Sequence, residues 1–256
     1  MAPGRDNVTR SGRHRWGFAV TAALALAWPP AAKPDDAYEA ARREMVRVIE
    51  AHAFSAREAL AEGRLEAPVL AAMRRVPRHE FVPAHLAAIA YQDRPLPIGH
   101  GQTISQPFIV ALMTDLAGVG AGDKMLEIGT GSAYQAAVAA EIGAEVHSIE
   151  IVGPLAESAR RRLDRLGYRR VQTRHGDGYY GWSEAAPFDA ILVTAAASHV
   201  PPPLVQQLKP GGRMVIPVGG GGYSFQHLVL VEKDDDGRVT SRQLLPVRFV
   251  PLTGGH

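Results

Sequence analysis

From Lys124 to the C-terminus, short apolar runs alternate with amphipathic stretches, and this alternation limits the possible folds more than any other feature of the chain. "KMLEI" and "YQAAVAAEI", then "AEVHSIE" and "PLAESARRRLDRL", read as two strand–helix pairs. "VQTRH", "FDAILVT" and "GRMVIPV" are further strands, and "PPPLVQQL" is a short helix. "QHLVLVEK" and "VTSRQLLPVRFVPL" are longer strands separated by the turn "DDDG". Strands that alternate with helices predict a mostly parallel sheet covered on both faces, because a parallel neighbour needs a crossover connection. The last two strands have only a tight turn between them and must pair antiparallel. The expected core over 101–256 is thus α/β.

The first hundred residues have a different character. Arg5, Arg10, Arg13 and Arg15 precede the uncharged, mostly apolar run from Trp16 to Trp28. This is the layout of a secretory signal peptide, with small residues near Ala27 or Ala32 as cleavage points. The run is short for a membrane span, which needs about 20 residues. Residues 1–35 are accordingly set apart as a signal-like or disordered leader. A helical extension is expected over 36–100. "YEAARREMVRVIEAHAFSAREAL" repeats apolar residues at Met45, Val48, Ile49 and Ala53, and "LEAPVLAAMRRVPRHEFVP" reads as a second helix closed by Pro77 and Pro83. "YQDRPLPIGHGQT" reads as a connector. "PFIVALMTDLAGV" opens a helix with Pro107 in its first turn, where the missing N–H costs nothing.

The chemistry concentrates at the first strand–helix turn of the core. "MLEIGTGSAYQAAVA" places Gly129, Thr130 and Gly131 there, and Glu150 ends the next strand. Glycine permits left-handed backbone and close approach of a ligand, and a strand-end acid can hold both hydroxyls of a ribose. A dinucleotide fingerprint wants a third small residue where Tyr134 stands, and the lysine of a phosphate loop is missing. Without phosphates to cradle, the turn suits a nucleoside cofactor with an amino-acid tail, namely S-adenosyl-L-methionine. Asp177 and Gly178 follow the third strand, at the sheet end where α/β proteins bind ligands, and are expected near the adenine; the plainer reading is a simple turn. The small residues of "VTAAASHVPPPLV" would allow cofactor and substrate to approach closely, or merely pack the sheet.

Other classes of function find little support. A net charge of +2 over 256 residues is too small to imply a nucleic-acid partner. The chain has no cysteine, which excludes disulfides, thiolate nucleophiles and cysteine metal sites. His100, His147, His175, His199 and His227 show no metal-ligand spacing, so no metal site is expected. "ARRRLDRLGYRR" reads as a solvated basic helix face.

Taken together, "GQTISQP", "LEIGTGSAYQ", "RHGDG", "FDAILVTAA", "LKPGGRMVIPVG" and "VRFVPL" resemble the protein-L-isoaspartate O-methyltransferase family, over about Glu39 to Leu252. The resemblance implies a Rossmann-like class I methyltransferase fold: a mostly parallel seven-stranded sheet with an antiparallel C-terminal strand, helices on both faces and the N-terminal helical extension. It implies methyl transfer from S-adenosyl-L-methionine to the α-carboxyl of L-isoaspartyl residues in damaged proteins. The ester then collapses to a succinimide that reopens to aspartate. It further implies Ser105 in the active site, Thr103 and Gln106 as substrate contacts, and Gly129, Thr130, Gly131, Glu150, Asp177 and Gly178 as cofactor contacts. The expected partners are isoaspartyl proteins and peptides, with no nucleic acid and no stable membrane association after leader removal, and a monomer is expected. A carboxylate nucleophile is already ionised at neutral pH and needs no general base, so neutral donors suffice to hold it. For Ser105 and Thr103 the competing role is capping the helix that follows. Ala133 stands where the family usually has glycine, and its methyl is expected to narrow the cofactor's approach. "SIEIVGPL" is atypical at Ile151 and Val152. Two alternatives stay open: a class I methyltransferase acting on a small-molecule carboxylate or hydroxyl, and a non-catalytic S-adenosylmethionine-binding protein. The leader suggests export to the periplasm, whereas the cofactor is made in the cytoplasm, which is the favoured compartment.

Overall fold

A seven-stranded sheet in the order β5-β4-β3-β6-β7-β8-β9 carries the molecule. The computed structural model describes residues 1, 37–60, 63–220 and 225–255. Apart from Met1, the leader expected over 1–35 lies outside the described residues.

The strands are β3 (Lys124–Ile128), β4 (Glu145–Glu150), β5 (Val171–His175), β6 (Phe188–Val193), β7 (Leu208–Val218), β8 (Gln226–Lys233) and β9 (Val239–Val247). Those from β3 to β7 pair in parallel, while β7–β8 and β8–β9 are antiparallel. The antiparallel pairing expected at the C-terminus is thus present, and β8 is the strand that runs against the rest. Both faces of the sheet are buried, as crossover helices require. Leu126, Ile128, Ile191, Val193, Met214 and Ile216 face one apolar cluster, while Met125, Ala190, Leu192 and Val215 face the other. That alternation is the two-residue period of a strand, read here on two buried faces.

The helices are α1 (Glu39–Ser55), α2 (Ala67–Arg75), α3 (Pro107–Leu116), α4 (Tyr134–Ile142), α5 (Gly153–Leu166) and α6 (Pro202–Gln207). Helices α1 and α2 bury Met45, Ile49 and Met73 in the same cluster as Leu112 and Met113 of α3 and Val138 of α4. The N-terminal extension therefore shares the core of the sheet domain.

Two segments differ from the sequence expectation. The connector "YQDRPLPIGHGQT" contains a hairpin, β1 (Leu96–Gly99) against β2 (Gln102–Ile104). Its turn runs through Gly99, His100 and Gly101 at φ of 96°, 54° and 72°. The two flanking glycines make that left-handed turn inexpensive, and strands this short carry too few alternating residues to announce themselves. The last strand ends at Val247 rather than running on to Leu252. Beyond it, the tail leaves the ladder. The Phe249 N–H donates to Oε1 of Gln226 (2.8 Å), and the Ala196 N–H donates to the carbonyl of Val250 (2.8 Å). Ala196 lies in the loop after β6 and Gln226 opens β8, so the tail bends across the carboxyl end of the parallel strands.

Candidate active site

Strand order reverses between β3, β4 and β6, and ligands of open α/β sheets bind at such a switch point, outside the carboxyl ends of the strands. A cleft of about 740 Å³, counting space open to solvent, lies there. Its walls include Gly129, Thr130 and Gly131 from the β3–α4 turn, Glu150, Ile151 and Val152 from the end of β4, Gly178, and Thr194 and Ala195 after β6. Thr103 and Ser105 line it from the other side, with Val250 to Thr253 of the tail.

The glycine turn is built for close approach. Gly129 has φ +95°, and a Cβ there would lie 2.6 Å from Oγ1 of Thr194. The Thr194 hydroxyl bonds the carbonyls of Gly129 (2.7 Å) and Ile128 (3.0 Å), locking the turn to β6. Glu150 accepts from the N–H of Gly131 at 2.7 Å and from that of Val152 at 2.9 Å, so the strand-end acid also braces the backbone on both sides of itself. Gly178 is required by space, because a Cβ would lie 2.3 Å from Cγ2 of Ile128.

Ala133 calls for a correction. Its methyl is not part of the cleft wall, although its neighbours Ser132 and Tyr134 are. The departure acts on the backbone instead: Ala133 sits at φ 70°, ψ 14° as the residue before α4, a left-handed conformation that glycine adopts more cheaply.

Asp177 divides into two findings. Its carboxylate is not part of the cleft wall. One oxygen accepts from the Tyr179 N–H (3.0 Å) and the other from the Gly255 N–H (3.0 Å), which caps the turn Gly178–Tyr180 and anchors the tail. The plainer reading of this position thus has the better geometric support, while Gly178 beside it does line the cleft.

A second groove, about 1080 Å³ and likewise open, meets the first at Thr103, Ser105, Thr194 and Val250. Pro95, Gln106, Ile109, Phe225 and Pro246 to Phe249 complete its walls. Thr103 and Ser105 therefore stand where the two spaces join, while Gln106 lines the outer groove alone. Neither hydroxyl caps α3. Gln106 is the N-cap residue and makes no side-chain cap bond. The cap comes from Asp93, whose carboxylate accepts from the Phe108 N–H (2.8 Å) and from Nε2 of Gln106 (2.8 Å).

Glu127 is the site residue that the sequence reading passed over. It lies fully buried in β3 yet contributes to the cleft wall. Burial pushes its carboxyl up to about 8, Glu150 adds to the rise, and a hydrogen bond from Ser148 opposes it. Ser148 in turn meets Oγ1 of Thr130 at 2.5 Å. Oε1 of Glu127 has no hydrogen-bond partner among the described residues; the Ala136 amide favours the ionised form from outside hydrogen-bonding geometry. The signal was present in "KMLEI", where an acid interrupts an otherwise apolar central strand. Among the described residues, no three His, Asp or Glu side chains converge in a metal-ligating group.

The sheet order, the glycine turn at its switch point and the strand-end acid define a Rossmann-like methyltransferase fold. Residues 57–256 match the family model of protein-L-isoaspartate(D-aspartate) O-methyltransferase, and the chain belongs to that family. It is 62% identical over 222 residues to protein-L-isoaspartate O-methyltransferase 2 of Syntrophobacter fumaroxidans, covering 87% of this chain and 90% of the relative. It is 59% identical over 238 residues to protein-L-isoaspartate O-methyltransferase 1 of Cupriavidus necator, covering 93% and 92%. A solved protein-L-isoaspartate O-methyltransferase superposes with a TM-score of 0.72 at 30% identity, over 83% of this chain and 66% of that one. A Plasmodium falciparum structure in complex with S-adenosyl-L-homocysteine shares the fold, with a TM-score of 0.67 at 24% identity over 83% of this chain and 98% of that one.

Proposed function

We infer that the chain transfers a methyl group from S-adenosyl-L-methionine to the α-carboxyl of L-isoaspartyl residues in damaged proteins, the first step of their repair. The observation that carries this reading is the junction of the two spaces at Thr103 and Ser105. The cleft read as the cofactor's opens there onto a groove of about 1080 Å³, and the side chains shared by the two spaces are neutral.

The residues present fit the cofactor. Glu150 and Glu127 are the side chains of the inner cleft wall that titrate below pH 9, both are acids, and burial favours the neutral form of Glu127. That lining suits a cation and repels a dinucleotide's phosphates. The buried Oε1 of Glu127 has no hydrogen-bond partner among the described residues, and an ammonium donor on the cofactor's tail would satisfy it. Gly129, Thr130, Gly131, Glu150 and Gly178 would hold the nucleoside and its tail, with Ile151 and Val152 as apolar wall. When bound, S-adenosyl-L-methionine supplies a methyl group on a sulfonium, which is already activated. The protein's share is then alignment and exclusion of water. Thr103 and Ser105 orient the isoaspartyl carboxylate, and Gln106 contacts the peptide farther out. The carboxylate oxygen bonds to the methyl carbon while the carbon–sulfur bond breaks with its electron pair on sulfur, leaving the methyl ester and S-adenosyl-L-homocysteine. No proton moves, so no general base is required. Alignment of this kind supplies roughly 7–11 kcal/mol in well-oriented reactions.

On the same reading the chain works as a monomer on proteins and peptides in the cytoplasm, where its cofactor is made. Among the described residues, no helix is long and apolar enough to cross a membrane. The test is labelled methyl transfer to paired peptides that differ only in aspartate or isoaspartate. Strong preference for the isoaspartyl peptide is expected. Equal labelling of both, or labelling of small metabolites alone, would overturn the reading.

A further inference from the structure

Arg78 is a fully buried arginine (0% exposed) that the mechanism above does not use. It opens the turn Arg78–Phe81 that follows α2. Its Nε donates to the carbonyl of Ala90 (2.8 Å) and its Nη2 to the carbonyl of Ser105 (2.7 Å). The guanidinium carbon lies 4.7 Å from the ring centroid of Tyr134, a residue of the cofactor cleft wall. Burial lowers its pKa to about 10, so it stays charged at neutral pH.

A charge in such a place is a poor source of stability. The cost of stripping water from a guanidinium is large, and apolar residues of similar volume often replace buried ions without loss. What Arg78 does contribute is definition of the backbone at Ser105. Strand β2 ends at Ile104 and α3 begins at Pro107, so Ser105 and Gln106 belong to no ladder. Asp93 holds the far side of this link through Gln106 and Phe108. Arg78 holds the near side through the Ser105 carbonyl, and hence the peptide plane next to the Ser105 Cα. Ser105 is half-buried at the opening between cleft and groove, where a small tilt of that plane would swing its hydroxyl away from the reacting carboxylate.

We propose that Arg78 is a positioning residue for methyl transfer: its guanidinium fixes the peptide plane of Ser105, and so aims the hydroxyl at the junction of cofactor cleft and substrate groove. This rests on the assignment of Ser105 to the active site.

The test compares Ser105→Ala, Arg78→Met, Arg78→Lys and the double variant Ser105→Ala/Arg78→Met. Melting temperature, calorimetric affinity for S-adenosyl-L-homocysteine, and kcat and KM on an isoaspartyl peptide are measured on the same preparations. Arg78→Met is expected to fold, to keep its affinity for S-adenosyl-L-homocysteine within about threefold, and to lose roughly 10- to 100-fold in kcat, the scale of a misplaced reacting group. Arg78→Lys, which retains a charged donor, should recover part of that loss. In the Ser105→Ala background, adding Arg78→Met should cost less than about threefold more, because the group it aims is already gone. Folded Arg78→Met with normal turnover would overturn the proposal. So would losses that multiply in the double variant, or failure of both Arg78 variants to fold, which would reserve the residue for stability. Normal turnover by Ser105→Ala alone would instead remove the Ser105 assignment, a result separable from any property of Arg78.

Discussion

Glu127 offers a prediction whose size and sign both come from the structure. A carboxyl moved from 4.5 to about 8 by burial favours its neutral form in the fold. At about 1.36 kcal/mol per pH unit, this corresponds to something on the order of 5 kcal/mol. Below pH 4.5 the side chain is neutral in both folded and unfolded chains, and the full stabilisation is present. As pH rises from 4.5 to about 8, the unfolded chain releases the proton and the folded chain keeps it, so stability falls. Above about 8 both have released it and this slope ends. Glu127→Gln has no proton to lose and should abolish that descent. Its melting temperature should match the wild type near pH 4 and exceed it increasingly toward pH 8. At roughly 2–4 °C per kcal/mol for a domain of this size, the gap at pH 8 should reach about 10–20 °C. Binding should change the other way. If the ionised carboxylate receives the ammonium group of the cofactor's tail, wild-type affinity for S-adenosyl-L-homocysteine should rise as pH climbs toward about 8 and level off above it, with proton release over the rising range. The variant's affinity should be weaker and flat in pH. Scanning calorimetry from pH 4 to 9 and titration calorimetry in buffers of different ionisation enthalpy measure both. Parallel melting curves for the two proteins between pH 5 and 8 would refute the argument.

Other expectations follow from particular contacts. Ala133→Gly should raise stability by about 0.5–1 kcal/mol, the strain of a left-handed alanine less the extra freedom of unfolded glycine, with cofactor affinity unchanged; thermal melting and calorimetry decide it. Glu150→Ala should weaken S-adenosyl-L-homocysteine binding by about 1.5–3 kcal/mol, since it removes a charged acceptor and also frees the Gly131 and Val152 amides. Calorimetry showing undiminished affinity would exclude Glu150 from the cofactor site. Asp93→Ala should cost about 1–2 kcal/mol in stability through the lost α3 cap, and should also lower kcat on isoaspartyl peptide by loosening Gln106. A melting shift with unchanged kcat would make Asp93 a cap alone. Because Asp93 already supplies that cap, Ser105→Ala should leave the melting temperature within about 1 °C of wild type while slowing methyl transfer roughly 10- to 150-fold. A lower melting point with normal turnover would contradict the active-site role.

Much of the architecture was legible along the chain. β3 over Lys124–Ile128 and α4 over Tyr134–Ile142 coincide with the runs read from the sequence. Apolar period and a glycine turn are local properties, and a parallel sheet buried on both faces repeats them at every crossover. The placement of Gly129, Gly131 and Glu150 at the ends of β3 and β4 is legible for the same reason, since a motif at a strand end carries its own address. The charges that hold the site are another matter. Arg78 reaches Ser105 across 27 positions and Asp93 reaches Phe108 across 15, and a buried ion pays its desolvation only against partners that folding brings to it. In sequence, Arg78 is one basic residue among several in "MRRVPRHEF", and Asp93 one polar residue in a turn. Asp177 shows the converse: its strand-end position is local, but the bonds its two carboxylate oxygens accept from the backbone of Tyr179 and Gly255 include one across 78 positions that no local pattern announces. Sequence alone determined where the core strands, most of the helices and the glycine turn lie, though not the short β1–β2 hairpin, because a long apolar period depends only on neighbours along the chain. Tertiary structure decided which polar groups face the cleft, which brace it and which proton Glu127 keeps, because each of those depends on burial and on partners distant in sequence.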